Sequence, residues 1–99
     1  MNIHPTAIVE EGARLGAGCV IHAYAVVRRW CVLGDGVAVH PFAVVGGDPN
    51  FLKFDPATES GVQIGAGTVI REHASINRSI YAGKNTVVGA RCYLMANAH

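Results

Sequence analysis

Ala13-Arg14-Leu15-Gly16-Ala17-Gly18-Cys19-Val20-Ile21-His22-Ala23-Tyr24-Ala25-Val26-Val27 is the stretch that decides the fold. Leu15, Ile21 and Val27 recur at every sixth position, and two places before each stands a small residue, Ala13, Cys19 or Ala25. The aliphatic column extends both ways as Ile3, Val9, Leu15, Ile21, Val27, Leu33, Val39 and Val45. Ile, Leu and Val make up 24 of the 99 residues, so chance would fill only about two of eight such positions. The phase stops near Gly46 and resumes as Ile64, Ile70, Ile76, Ala82, Val88 and Leu94, with Ala82 the weak member. The companion column runs Ala7, Ala13, Cys19, Ala25, Cys31, Val37 and Ala43, then Thr68, Ala74, Ile80, Thr86 and Cys92.

Two inward residues separated by two describe a very short strand. Turn residues fill the gaps, as in Glu11-Gly12, Gly16-Ala17-Gly18, Gly34-Asp35-Gly36 and Gly65-Ala66-Gly67, where Gly tolerates the positive φ of a tight corner. Strand and corner at period six predict an all-β, parallel β-helix of hexapeptide repeats, three strands per coil and 18 residues between stacked equivalents. The core is then a rod that grows with chain length, so a 99-residue chain suffices for one domain, residues 1–99.

Composition excludes several classes. The formal charge is +1, only 15% of residues are charged, and 51% are hydrophobic. That balance argues against disorder and gives no electrostatic footprint for nucleic acid or a membrane surface. No apolar run is long enough to span a bilayer. Met1-Asn2-Ile3-His4-Pro5 does not open like a secretory signal. All three cysteines fall in the small inward column and read as core substitutes for Ala in a reduced, cytoplasmic protein. The Gly-x-Gly occurrences are corners of the repeat rather than nucleotide loops, and Asn77-Arg78-Ser79 is a glycosylation triplet without a sign of export.

His4, His22 and His40 are spaced by 18 and predict a solvated ladder at one corner, about 4.8 Å per step. Thr6, Tyr24 and Phe42 form a second such column, whose outward aromatics suit a subunit contact or plain surface. From Gly46 to Gln63 the repeat is interrupted by a long loop with two prolines and two phenylalanines, the kind of excursion that carries function on a rigid scaffold.

Further residues carry a family resemblance. The whole hexad pattern is similar to the left-handed β-helix acyltransferases, and the left hand is taken from that resemblance. His4-Pro5-Thr6-Ala7-Ile8-Val9-Glu10-Glu11-Gly12-Ala13 resembles the opening of the UDP-N-acetylglucosamine acyltransferases of lipid A synthesis. Leu52-Lys53-Phe54 resembles that family's Asp-Leu-Lys-Tyr segment. Ile70-Arg71-Glu72 with Ile76-Asn77-Arg78 resembles its Ile-Arg-Glu and Ile-His/Asn-Arg stretch, and Leu94-Met95-Ala96-Asn97-Ala98-His99 the start of its active-site segment.

The resemblance implies transfer of a (3-hydroxy)acyl chain from acyl carrier protein to the 3-hydroxyl of UDP-N-acetylglucosamine. A histidine acts as general base and backbone N–H groups hold the oxyanion, in a site between subunits of a homotrimer, with no cofactor or metal. Lys53, Asn50, Asn77 and His99 are the implied substrate-binding residues. Phe51 stands where the family has an acidic residue. His99 matches the first histidine of the family's Ala-His-x-Ala-His-Asp pattern, and the base is the second, three positions past it. The expectation is therefore an N-terminal piece, cut at its C-terminus, that turns over little substrate alone. Two other readings use the same fold. One is a non-catalytic scaffold or binding module. The other is a metal-dependent hydratase resembling the γ-class carbonic anhydrases, which needs three convergent histidines; His73 and His99 are the candidates, without a His-x4-His spacing.

Overall fold

The computed structural model describes residues 1–96. Thirteen short strands follow one another: β1 Asn2–Ile3, β2 Ile8–Val9, β3 Arg14–Leu15, β4 Val20–Ile21, β5 Val26–Val27, β6 Cys31–Leu33, β7 Ala38–Val39, β8 Val44–Gly47, β9 Gly61–Ile64, β10 Val69–Ile70, β11 Ser75–Asn77, β12 Asn85–Val88 and β13 Tyr93–Leu94. Every third strand pairs in parallel. The three sheets run β1-β4-β7-β10-β13, β2-β5-β8-β11 and β3-β6-β9-β12, and they form the walls of a left-handed β-helix. Among the described residues no helix is long and apolar enough to cross a membrane.

Both sequence columns point inward through the middle coils. Cys19, Ile21, Ala25, Val27, Cys31, Leu33, Val37, Val39, Ala43 and Val45 are buried, as are Val62, Ile64, Thr68, Ile70, Ala74 and Ile76. Each large aliphatic among them contributes on the order of 1.5–3 kcal/mol of transfer free energy. The polar members of the small column donate to backbone carbonyls. The Thr68 hydroxyl donates to the Gly89 carbonyl at 2.8 Å and the Cys19 thiol to the Gly34 carbonyl at 3.2 Å. All three cysteines are free thiols.

At the corners the ladder is interrupted, and side chains of a neighbouring coil supply acceptors. Thr6 Oγ1 accepts from the Tyr24 N–H at 3.1 Å, Asp35 Oδ1 from the Ala17 N–H at 2.9 Å, and Glu10 Oε1 from the Arg29 N–H at 2.9 Å. The corners are less dependent on glycine than the sequence suggests. Tyr24, Phe42 and His73 all take positive φ, at 60°, 64° and 63°. A left-handed non-glycine residue costs roughly 1–2 kcal/mol. Here the three rings stack in one column, 5.4 Å and 5.5 Å between centroids, and aromatic stacking returns about 0.5–1.5 kcal/mol per pair.

Two readings of the repeat need correction. Stacked equivalents are 18 apart only in the first three coils, where Ile3 pairs with Ile21 and Ile21 with Val39. Val39 then pairs with Ile70, and Ile70 with Leu94. The long insert is bounded by β8 and β9, so it covers 48–60 rather than 46–63. The second correction concerns Ile80 and Ala82, which are not core positions. Both are exposed, in a bend and turn between β11 and β12, and Val88 pairs with Ile64 at a distance of one 24-residue coil. This second excursion adds one hexad to the coil, so the aliphatic phase passes through it undisturbed and conceals it.

Candidate functional site

Both excursions leave the rod at the same corner, between the second and third sheets, in adjacent coils. The loop 48–60 follows β8 and the loop 78–84 follows β11. They brace each other: the Gly83 N–H donates to the Glu59 carbonyl at 2.9 Å, and the Ser60 hydroxyl donates to the Ser79 carbonyl at 2.5 Å. One coil below lies Trp30, also at positive φ. Strand β9 starts directly against it, since a Cβ on Gly61 would lie 1.8 Å from the Trp30 carbonyl oxygen.

Arg78 is at the centre of this corner. It is only 7% exposed. Its Nε donates to Asp48 Oδ1 at 3.1 Å, its Nη2 to the Pro56 carbonyl at 2.8 Å, and its Nη1 to the Thr58 carbonyl and to Ser60 Oγ, the latter at 3.3 Å. The guanidinium lies 4.8 Å from the Phe54 ring centroid and 5.4 Å from that of Trp30, within the range of a cation–π contact. Arg29 covers Trp30 as well, at 4.2 Å. A groove of about 480 Å³ runs past Trp30, Arg14, Val32, Ser60 and Asn85, and another of about 560 Å³ past Arg29, Trp30, Asp55 and Glu59.

The residues singled out from the sequence are distributed unevenly around this corner. Asn50 and Lys53 lie at the exposed tip of the loop. With Pro49, Phe51 and Leu52, Asn50 borders a third hollow of about 460 Å³. Leu52 is fully exposed and Phe51 half exposed. Asn77 sits at the root of the loop, paired in register with Gly47, and its side-chain oxygen accepts from the Ser75 hydroxyl at 3.3 Å. No hydrogen bond among the described residues joins Asn50, Lys53 and Asn77. His99 lies outside the described residues.

The other histidines are on the opposite side of the coil, at the corner between the first and second sheets. His22 and His40 stack with centroids 4.5 Å apart, one step of the expected ladder; the His4 ring hydrogen-bonds instead with Thr6 Oγ1 at 2.9 Å. Burial and the neighbouring His22 and Arg71 hold the His40 imidazole below its usual pKa, with Glu72 opposing. His73 completes the Tyr24–Phe42 column, an extension hidden by the irregular spacing after Gly46. Arg71 is held by Glu72 at 2.8 Å and by the Tyr93 hydroxyl at 2.8 Å, and Arg71 in turn draws the Glu72 carboxyl below its ordinary range. Across the coil, the Arg29 backbone N–H and then the Arg28 side chain lower Glu10.

Arg78, Trp30 and the second loop were not legible as site elements. Arg78 stood out only as part of a motif. The sole tryptophan, at a corner where other coils place Gly, was the available signal for Trp30.

With this geometry in place, likenesses to known proteins acquire meaning. Residues 12–47 match the bacterial transferase hexapeptide (six repeats) family. The fold is similar to LpxA, a UDP-N-acetylglucosamine acyltransferase, from Bacteroides fragilis, with a TM-score of 0.80 and 30% identity over 95% of this chain and 44% of that one. LpxA from Acinetobacter baumannii gives a TM-score of 0.75 and 28% identity over 97% of this chain and 42% of that one. The UDP-N-acetylglucosamine acyltransferase from Campylobacter jejuni gives 0.60 and 30%, over 97% and 46%. The chain thus spans less than half the length of these relatives. By sequence, no curated protein matches it.

Proposed function

We propose, from the premise that this chain carries a bacterial transferase hexapeptide segment and shares the fold of UDP-N-acetylglucosamine acyltransferases along nearly its whole length, that it is the N-terminal β-helix of an O-acyltransferase. The acceptor is the 3-hydroxyl of UDP-N-acetylglucosamine and the donor a (3-hydroxy)acyl chain on acyl carrier protein, in lipid A synthesis in the cytoplasm. The observation that carries the reading is the loop 48–60, which exposes Asn50 and Lys53 outside the rod wall, in a chain whose fold likeness covers 95% of its length. Lys53 supplies a mobile point charge suited to a nucleotide diphosphate. Asn50, Asn77 and His99 supply the remaining polar contacts.

In the reaction the sugar hydroxyl attacks the thioester carbonyl, a histidine general base takes its proton, and the carrier thiol leaves. Preorganised backbone N–H groups hold the oxyanion formed on the way. The wholly exposed Leu52 and half-exposed Phe51 favour a site closed by a neighbouring subunit of a trimer.

The test is acyl transfer to UDP-N-acetylglucosamine by the intact protein. Replacing Lys53 with Ala should raise the KM for the nucleotide sugar about tenfold and leave kcat within about threefold. Absence of transfer with this acceptor, or an unchanged KM, would count against the reading. Nucleotide-sugar binding without transfer would identify a binding module instead.

A further inference from the structure

We propose that Arg78 is the positioning residue of this site. Its guanidinium sets the conformation of residues 48–60 and, through them, the place of Lys53. The inference rests on the role given to Lys53 above.

A guanidinium removed from water is tolerated only when its donors are met. At Arg78 every side-chain acceptor comes from the loop itself: Asp48 at its start, Pro56 and Thr58 on its return, and Ser60 at its end. One planar group therefore ties together both ends of the excursion. The loop has little apolar packing to do this otherwise, because Phe51 and Leu52 point to solvent and Phe54, half-buried, lies on the guanidinium. Arg78 is itself anchored to the rod. Its N–H donates to the Gly47 carbonyl at 2.9 Å, and Trp30, two coils earlier, lies against it with 5.4 Å from the guanidinium to the ring centroid.

The geometry requires a fork. Nε, Nη1 and Nη2 reach acceptors in different directions while the plane lies near two rings. A lysine ammonium offers three donors from one point and no plane. Among the described residues Arg78 makes no hydrogen bond or ion pair with Asn50 or Lys53, so its effect on the nucleotide sugar passes through the loop.

The experiment compares Arg78→Ala and Arg78→Lys in the intact protein. Hydrogen exchange of residues 50–60 should accelerate about tenfold or more in Arg78→Ala, with β9 to β11 unchanged. The KM for UDP-N-acetylglucosamine should rise about tenfold with kcat within about threefold, and Arg78→Lys should fall between. Lys53→Ala should add less than about twofold on top of Arg78→Ala, because a displaced Lys53 has little left to lose. Unchanged exchange overturns the proposal, and so does full additivity of the two substitutions. If Arg78→Ala fails to fold, Phe54→Ala removes the loop-side ring without touching the rod and should give the same changes in weaker form. An inert Lys53→Ala in the wild-type background refutes the site reading and the nucleotide-sugar role of Arg78 together. The exchange result then decides by itself whether Arg78 orders the loop.

Discussion

At the scale of single residues, the small inward column shows what a β-helix core demands. It accepts Ala, Val, Cys and Thr because the volume between stacked coils is narrow, and it satisfies their polar atoms with backbone carbonyls. Cys31 has a measurable consequence. Burial pushes its thiol up from 9.0 to about 11, so folding favours the protonated form. Stability from this group is whole below pH 9 and is lost as pH rises through about 11. Cys31→Ala should accordingly show a shallower fall in denaturation midpoint between those pH values than the wild type. Parallel slopes would contradict the assignment.

At the scale of elements, the two excursions form one structure. The loop 78–84 adds one hexad to its coil, and its contacts to Ser60 and Glu59 lie where the long loop returns to the rod. Deleting residues 79–84 restores a six-residue step from Ile76 to Val88, so the β-helix should keep its strand signature and cooperative unfolding. The long loop should lose its brace. Limited proteolysis should then cleave within 48–60 at least several-fold faster than in the wild type. Loss of the fold would show that the loop is required for the coil to close, and unchanged cleavage would show that the brace is idle.

At the scale of the whole molecule, the protein is a rod of 35 × 24 × 20 Å in which each strand pairs only with its equivalents in the adjacent coils. Stability in such a stack is a sum over coils and their interfaces. The fully buried aliphatics lie between Cys19 and Ile76, whereas Val9, Leu15, Val88 and Leu94 are only partly buried. Amide exchange should therefore be slowest in β4 to β11 and faster in β1 to β3 and in β12 and β13, by about a factor of ten or more. Uniform protection along the rod would mean that the terminal coils are stabilised by contacts outside this chain.

The period-six columns determined the fold by themselves, because each coil repeats the same inward pair and the corners between them are short. Cys19 and Cys31 could be placed in the core and the stacked His22 and His40 at a corner for the same reason: an 18-residue repeat converts sequence spacing directly into spatial neighbours, whereas Cys92, beyond the loops, is only partly buried. That conversion fails after Gly46. The long loop breaks the phase openly, but the loop 78–84 contains a whole hexad more and leaves the phase intact, so Ile80 and Ala82 read as core although they face water. His73 belongs with Tyr24 and Phe42, and Arg78 with Asp48, Pro56 and Trp30, only once the lengths of the two excursions are known. Lys53 and Asn50 were legible as loop residues, since a charged, proline-bounded segment cannot pack inside the rod. Where that loop goes was decided by tertiary structure alone, through a single buried guanidinium whose acceptors are mostly backbone carbonyls that carry no sequence signature.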